Sequence, residues 1–330
     1  MSITTTEQWN EFISKYPEAH LLQTSKWGQL KSFFGWESHC LIEKDAGVQI
    51  LFRRLPMGFS VAYIPKGPIG SEWQAVLKQS VALCRKKKSI VLYVEPDCWE
   101  ENFNSDKLSS DFLRSIRSIQ PRRTIIISLQ GSYDEWLSRM KQKTRYNIRL
   151  SQKSGVEIEE SKNINVFNHL INITGKRDEF EVHHPNYYKA VYDLFSPNEH
   201  CCLLIAKYKD QPLAGLMAFR QGGRAWYFYG ASNDVERQRM PAYLLQWEAM
   251  KWAARHGCNQ YDMWGIPDEN EDVLEKNFTK RSDGLWGVYR FKRGFGGEVK
   301  RTAGMFEKTI NPQMKWLLDS YLKIRRGGFS

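Results

Sequence analysis

Apolar positions along the chain change their period several times, and each change marks an element. Thr4 and Glu7 precede Trp9 and Phe12 in a Thr-x-x-Glu pattern that predicts a helix starting near residue 4. Residues 23–31 follow, and Gly35-Trp36 reads as a break. Residues 44–54 carry a strand, Pro56-Met57-Gly58 a turn, and residues 59–64 a second strand that closes a hairpin. Trp73, Val76, Leu77, Val81 and Leu83 then predict an amphipathic helix over 72–87, and the cations from Arg85 to Lys88 suit its C-terminal end. A buried strand over 90–94 ends at Glu95-Pro96-Asp97.

The same order returns later. Residues 209–220 read as a strand, 221–224 as a turn, 225–229 as a strand, 241–256 as a helix stopped by Gly257, and 260–264 as a strand ending near Pro267-Asp268. Lys209-Asp210 lies 165 residues after Lys44-Asp45, and Pro267-Asp268 lies 171 after Pro96-Asp97, so the spacing holds across a unit of about 100 residues. Between the copies, Ser132 and Glu135 form a second capping pattern that opens a helix over 133–154, stopped by Gly155. The expected class is mixed α/β (α+β), with a first domain over 1–131 and a second over 132–300 that includes the helix 133–154. Residues 301–330 are expected to pack back on the first domain.

Charge changes this picture. From Trp136 to Gly155 the chain holds Arg139, Lys141, Lys143, Arg145, Arg149 and Lys153 and no acid, whereas a solvated helix face ordinarily mixes both signs. The whole chain carries a formal net charge of +11. Both point to a polyanionic partner such as nucleic acid, a phosphorylated substrate or an anionic membrane surface. Aromatic residues at 13% suggest a ring-lined cleft. The six cysteines show no metal-like spacing, and adjacent Cys201 and Cys202 read as core. The N-terminus lacks a signal-peptide pattern and no window approaches 18 consecutive apolar residues. A cytoplasmic protein is expected, peripheral at most at the inner face of the plasma membrane.

Familiar chemistry is scarce. There is no phosphate-binding G-x-x-x-x-G-K-[ST] loop, no dinucleotide fingerprint and no G-x-S-x-G elbow. His183-His184 has no third ligand at useful spacing, so no metal is expected. Asp262, at a strand end, reads either as a base or as a structural carboxylate. A repeated hairpin–helix–strand suggests an acetyltransferase-like topology. Where such enzymes use a glycine turn to grip a pyrophosphate, the second copy has Arg237-Gln-Arg-Met-Pro241, with no glycine and a proline that has no N–H to give. That disfavours coenzyme A.

Several motifs together resemble the FemABX family of peptidoglycan interpeptide-bridge aminoacyltransferases. They are Gln23-Thr-Ser-Lys-Trp27-Gly-Gln-Leu-Lys31 with Gly35-Trp36; Trp136…Met140…Thr144-Arg145-Tyr-Asn147-Ile-Arg149; Tyr227-Phe-Tyr229-Gly-Ala-Ser232; Pro241-Ala-Tyr-Leu-Leu-Gln-Trp247; Trp264-Gly-Ile-Pro267; and Tyr289-Arg-Phe291-Lys292-Arg-Gly-Phe295-Gly-Gly297. The resemblance implies two tandem acetyltransferase-like (GNAT-like) domains, in a short form without a coiled-coil arm. It implies transfer of an amino acid from aminoacyl-tRNA to an amine of a peptidoglycan precursor, UDP-linked or lipid-linked, with no cofactor.

An aminoacyl ester is already activated, so the enzyme needs to position an amine and stabilise an oxyanion rather than supply a nucleophile. By resemblance, Lys292 and Phe291 meet the aminoacyl end of the tRNA: the Phe291 carbonyl orients the amine, and Lys292, read here as the end of an apolar strand, neutralises charge. Also by resemblance, Lys31 and Tyr229 meet the precursor's diphosphate, with Trp27, Tyr187, Tyr188 and Tyr227 as further substrate-binding candidates. His183 stands where the family has an arginine. The expected tRNA contacts are Arg139, Lys141, Lys143, Arg145 and Arg149, and a monomer is expected. Two alternatives remain: an acyl-CoA-dependent N-acyltransferase, and a non-enzymatic module that binds RNA or an anionic surface.

Overall fold

In the computed structural model, residues 4–178 and 181–324 are described. The chain divides into two compact units, Met1–Arg122 with Arg301–Ser330, and Arg123–Lys300. The first begins with α1 (Thr6–Ser14) and α2 (Ser25–Phe33). The box that opens α1 is formed by Thr5 and Gln8, one residue later than Thr4 and Glu7 would place it. Thr5 is the extended residue at the helix mouth, so its hydroxyl is the one that reaches the free N–H of Gln8.

An antiparallel meander follows, β1 (Trp36–Glu43), β2 (Ala46–Arg54) and β3 (Ser60–Pro65). The strand β1, in a span the sequence reading left unassigned after the break at Gly35-Trp36, starts at once because Gly35, at φ 81°, turns the chain out of α2. Next comes α3 (Trp73–Lys86), whose fully covered stripe is Trp73, Val76, Leu77, Ser80 and Cys84, with Val81 and Leu83 at its margin. It crosses over to β4 (Ser89–Glu95), parallel to β3, and the short β5 (Leu113–Arg114) comes after it.

The second unit opens with β6 (Arg123–Ser128). The single helix expected over 133–154 is two: α4 (Tyr133–Arg139), opened by the Ser132–Glu135 box, and α5 (Gln142–Lys153). Met140 and Lys141 between them are extended, and the Lys141 N–H donates to the Gly294 carbonyl at 2.9 Å instead of continuing a helix. Then follow β7 (Glu157–Glu160), α6 (Ile164–Arg177), α7 (Pro185–Phe195), β8 (Cys201–Tyr208), β9 (Gln211–Gln221), β10 (Arg224–Ser232), α8 (Pro241–Arg255) and β11 (Gln260–Asp262). The unit ends with α9 (Glu271–Asn277), α10 (Trp286–Lys292) and β12 (Glu298–Arg301), after which β13 (Phe306–Thr309) and α11 (Pro312–Ile324) return to the first unit.

Strand order is β1-β2-β3-β4-β13-β5 in the first sheet and β12-β6-β11-β10-β9-β8-β7 in the second. Both sheets share a plan: a three-stranded meander, a crossover helix, a parallel strand, then an antiparallel neighbour. Lys44-Asp45 and Lys209-Asp210 sit at equivalent hairpin turns, and Lys44, Lys209 and Asp210 adopt positive φ there. The seam between units falls before β6, which pairs with β11 in the second sheet, although the sequence reading placed 123–128 in the first domain. Cys201 and Cys202 are buried on β8.

Candidate functional site

In the first unit, α2 is fastened before it presents any side chain. Gln23, fully buried, donates to the carbonyls of Pro65 (2.6 Å) and Gln49 (3.3 Å), and its Oε1 accepts from the Gln49 N–H (2.8 Å). Thr24 caps the helix through the Trp27 N–H. A Cβ at Gly28 would overlap Gln49 and Ser38, so glycine lets α2 lie against β1 and β2. Gln23 is thus a fastening, while Trp27 and Lys31 share a face, with Lys31 Nζ 5.0 Å from the centre of the Trp27 ring.

In the second unit a bulge sorts the tyrosines. The register of β10 against β9 slips between Tyr227 and Tyr229, leaving Phe228 as the extra residue. Strict alternation would put Tyr227 and Tyr229 on one face; the bulge sends them to opposite faces. Tyr229 joins Tyr187 and Tyr188 of α7, its hydroxyl 3.2 Å from that of Tyr187. His183 stacks on Tyr187 with ring centres 4.0 Å apart, and its backbone N–H donates to the Tyr188 hydroxyl at 3.3 Å. Burial holds the Tyr188 phenol up at about 12 and the Tyr229 phenol well above its ordinary value, so both stay neutral donors. His184 does a different job, capping α7 through the Asn186 N–H. Among the described residues no cluster could hold a metal ion.

On the other face, Tyr227 lies against Lys292. The lysine ends the helix α10, not a strand as the sequence suggested. Gly294, Gly296 and Gly297 beyond it are tightly packed: a Cβ at Gly294 would overlap Thr144 Oγ1, and one at Gly296 the Arg139 carbonyl. Lys292 is 5% exposed, and its Nζ donates to the carbonyls of Trp264 (3.0 Å) and Gly265 (2.9 Å), 5.5 Å from the centre of the Tyr227 ring. Those carbonyls converge because Trp264 adopts φ 61°, a left-handed conformation costly for a tryptophan. Asp262 holds that turn: its Oδ1 accepts from the Trp264 N–H at 2.7 Å and from the Thr124 hydroxyl. Asp262 is therefore a positioning carboxylate, the structural one of the two sequence readings.

Burial drives the Lys292 amine down to about 7, opposed by the Asp262 charge. With two protons given to carbonyls, an ammonium here keeps one N–H and its charge for a ligand. Phe291, half-buried, sets its ring against Tyr243 and Phe295, and its carbonyl, in the last turn of α10, accepts from the Arg293 N–H that caps the helix. Trp264, Gly265 and Asp262 were missed as partners of Lys292. Trp264-Gly-Ile-Pro267 was visible as a motif, but nothing local says that two carbonyls in it face a lysine.

The cationic helix pair splits by role. Arg139, exposed, donates to the carbonyls of Ser128 and Gln130 ahead of α4, both at 3.1 Å, and Arg145 to that of Met140, so Arg145 braces the break between α4 and α5. Lys141, Lys143 and Arg149 are exposed. Arg145 and Arg149 line an open pocket of about 380 Å³ with Asp134, Leu137 and Ser138.

A family model of the FemAB family matches residues 4–112, 112–209 and 203–323. The chain is similar to the Lipid II:glycine glycyltransferase of Staphylococcus epidermidis, at 23% identity with 96% of this chain and 94% of that protein covered. The corresponding protein of Staphylococcus aureus is 24% identical over the same shares. In fold, the chain is similar to the crystal structure of FemX, with a TM-score of 0.84 at 21% identity, covering 96% of this chain and 99% of that one. It is also similar to L-PGS from Bacillus licheniformis, with a TM-score of 0.57 at 14% identity over 96% of each chain. The fold is a pair of tandem acetyltransferase-like units, and the chain belongs to the FemAB family.

Proposed function

We propose that the protein is an aminoacyltransferase that moves an amino acid from aminoacyl-tRNA to an amine of a peptidoglycan precursor stem peptide. The observation that carries the reading is Lys292, an amine kept buried and aimed by two carbonyls in a chain whose relatives are named as glycyltransferases acting on lipid II. Burying a lysine at such a place costs stability and returns none through a carboxylate hydrogen bond, as expected for a group kept for chemistry.

In this reading the acceptor amine, oriented by the Phe291 carbonyl, attacks the ester carbonyl carbon. The C=O electrons move onto oxygen, and Lys292 donates its remaining N–H to that oxyanion. Collapse breaks the bond to the ribose oxygen, which takes up the proton that the amine loses, and an amide is left. Lys141, Lys143 and Arg149 supply backbone contacts to the tRNA. Lys31 with Trp27, and Tyr229 with Tyr187, Tyr188 and His183, supply hydroxyl, ring and cationic contacts to the precursor. Met240 in a left-handed conformation followed by Pro241 opens α8 without a glycine loop, which disfavours coenzyme A as donor.

The test is Lys292→Met, assayed with charged tRNA and a lipid-linked precursor and the product weighed by mass spectrometry. Loss of one oxyanion donor is expected to slow transfer about 10²–10³-fold with thermal unfolding still cooperative. Transfer at the wild-type rate would sink the assignment.

A further inference from the structure

The helix α5 has two unlike faces. Thr144, Asn147, Ile148 and Ser151 are buried, and the helical turn puts them on one stripe. On the opposite stripe lie Gln142, Lys143, Tyr146, Arg149 and Lys153, all exposed. Tyr146 stands in the middle of that stripe with 61% of its surface open. Lys143 is one turn before it, Arg149 one turn after and Lys153 two turns after, which are neighbouring positions on a helix surface. The three cations span about 15 Å of helix axis.

These charges are not spent inside the chain. Among the described residues, Lys143, Arg149 and Lys153 form no ion pair or side-chain hydrogen bond, the Tyr146 ring meets no other ring and no cation, and α5 itself holds no acid. Arg145 differs, since it is already turned to the Met140 carbonyl. Asp134 shares the pocket that Arg145 and Arg149 line, and no salt bridge joins it to either arginine among the described residues.

A ring set among unpaired cations matches unpaired RNA, where each base offers a flat face and each nucleotide a phosphate. A duplex would meet the cations and leave the ring idle, because its bases are already stacked on one another. An anionic bilayer would also meet the cations, but it rewards a broad apolar face. Here the ring stands among cations and Gln142, with Leu150 beside it partly covered. The helix also adjoins the reacting lysine. The Lys141 N–H donates to the carbonyl of Gly294, two residues past Lys292, and a Cβ on Gly294 would overlap Thr144. The nucleotides next to the ester of a charged tRNA are unpaired, so an ester held at Lys292 brings them to the start of α5.

We infer that Tyr146 stacks on an unpaired base near the acceptor end of the tRNA, with Lys143, Arg149 and Lys153 on the phosphates around it. This rests on the transfer from tRNA proposed above, but it is read by binding alone. Lost transfer with intact binding counts against that reading, and lost discrimination in binding counts against this one. The full chain is titrated by fluorescence anisotropy with two RNA hairpins, one ending in an unpaired 3′ ACCA and one blunt. The wild type is expected to bind the first more tightly. Tyr146→Ala is expected to weaken that hairpin about tenfold or more, leave the blunt one unchanged and melt like the wild type. Tyr146→Phe keeps the ring and is expected to keep the affinity. Lys143→Ala/Arg149→Ala is expected to weaken both hairpins and flatten their salt dependence. Any of four results would overturn the proposal: equal wild-type affinity for the two hairpins, an unchanged affinity of Tyr146→Ala for the unpaired end, an equal loss on both hairpins in Tyr146→Ala, or flotation with anionic vesicles that Tyr146→Ala loses while RNA binding stays, which would make a membrane the partner.

Discussion

Lys292 carries a conditional charge. Burial brings its amine to about 7, and the Asp262 carboxylate holds it from falling further. Under the function proposed above, the site offers a cation to the developing oxyanion below that value, and above it the amine is neutral and the offer weakens. Transfer measured as kcat/KM is therefore expected to fall as pH rises through about 7. Asp262→Asn, which keeps an acceptor for Trp264 but removes the charge, is expected to shift that falling limb to lower pH. A limb that does not move would show that Asp262 has no hold on the lysine. Stability runs the other way. The folded amine releases its proton at a lower pH than the unfolded one, so between about pH 7 and the ordinary lysine range unfolding takes up a proton, and this site's contribution to stability rises with pH. Lys292 was legible from the resemblance alone, because its own neighbours, Arg-Phe before and Arg-Gly after, give no sign of burial.

Two elements escaped the local pattern for physical reasons. Nothing in Met140-Lys141 disfavours a helix, since both are good helix formers. The helix breaks there because the Gly294 carbonyl takes the Lys141 N–H and Arg145 takes the Met140 carbonyl, partners supplied by folding. Gly294 permits this approach only because it has no Cβ. Gly294→Ala is expected to destabilise the protein by about 1–3 kcal/mol through overlap with Thr144 Oγ1. Adding Thr144→Ala removes that oxygen, so part of the loss is expected to return in a double-mutant cycle read by denaturant midpoint. Strictly additive losses would mean the overlap is not the cause. The bulge at Phe228 is similar, because Tyr-Phe-Tyr reads as plain alternation. The one local sign was Gly230, a glycine inside a strand, where a Cβ would overlap the Tyr227 hydroxyl.

Across the whole molecule the first unit is discontinuous in sequence, and β13 lies between β4 and β5 in its sheet. Truncation after residue 300 would remove an interior strand and leave β4 with an unpaired edge. Hydrogen exchange on that truncated chain is expected to show lost protection in β3 and β4 while β8, β9 and β10 keep theirs; intact protection in β4 would contradict the role given to β13. At this scale the sequence by itself determined a good deal. Hairpin turns, capping residues and the recurring hairpin–helix–strand depend on neighbours a few positions apart, so the mixed α/β class, the repeat, α3, α8 and the two parallel strands could be read directly. The motifs also named Lys31, Tyr229 and Lys292. Only the tertiary structure decided what those residues meet. Whether Tyr227 shares a face with Tyr229, whether Arg139 and Arg145 are open to a ligand or bound to carbonyls, and whether Lys292 ends a strand or a helix all rest on contacts between distant segments. Local periodicity holds no information about such contacts, because they exist only once those segments have packed together.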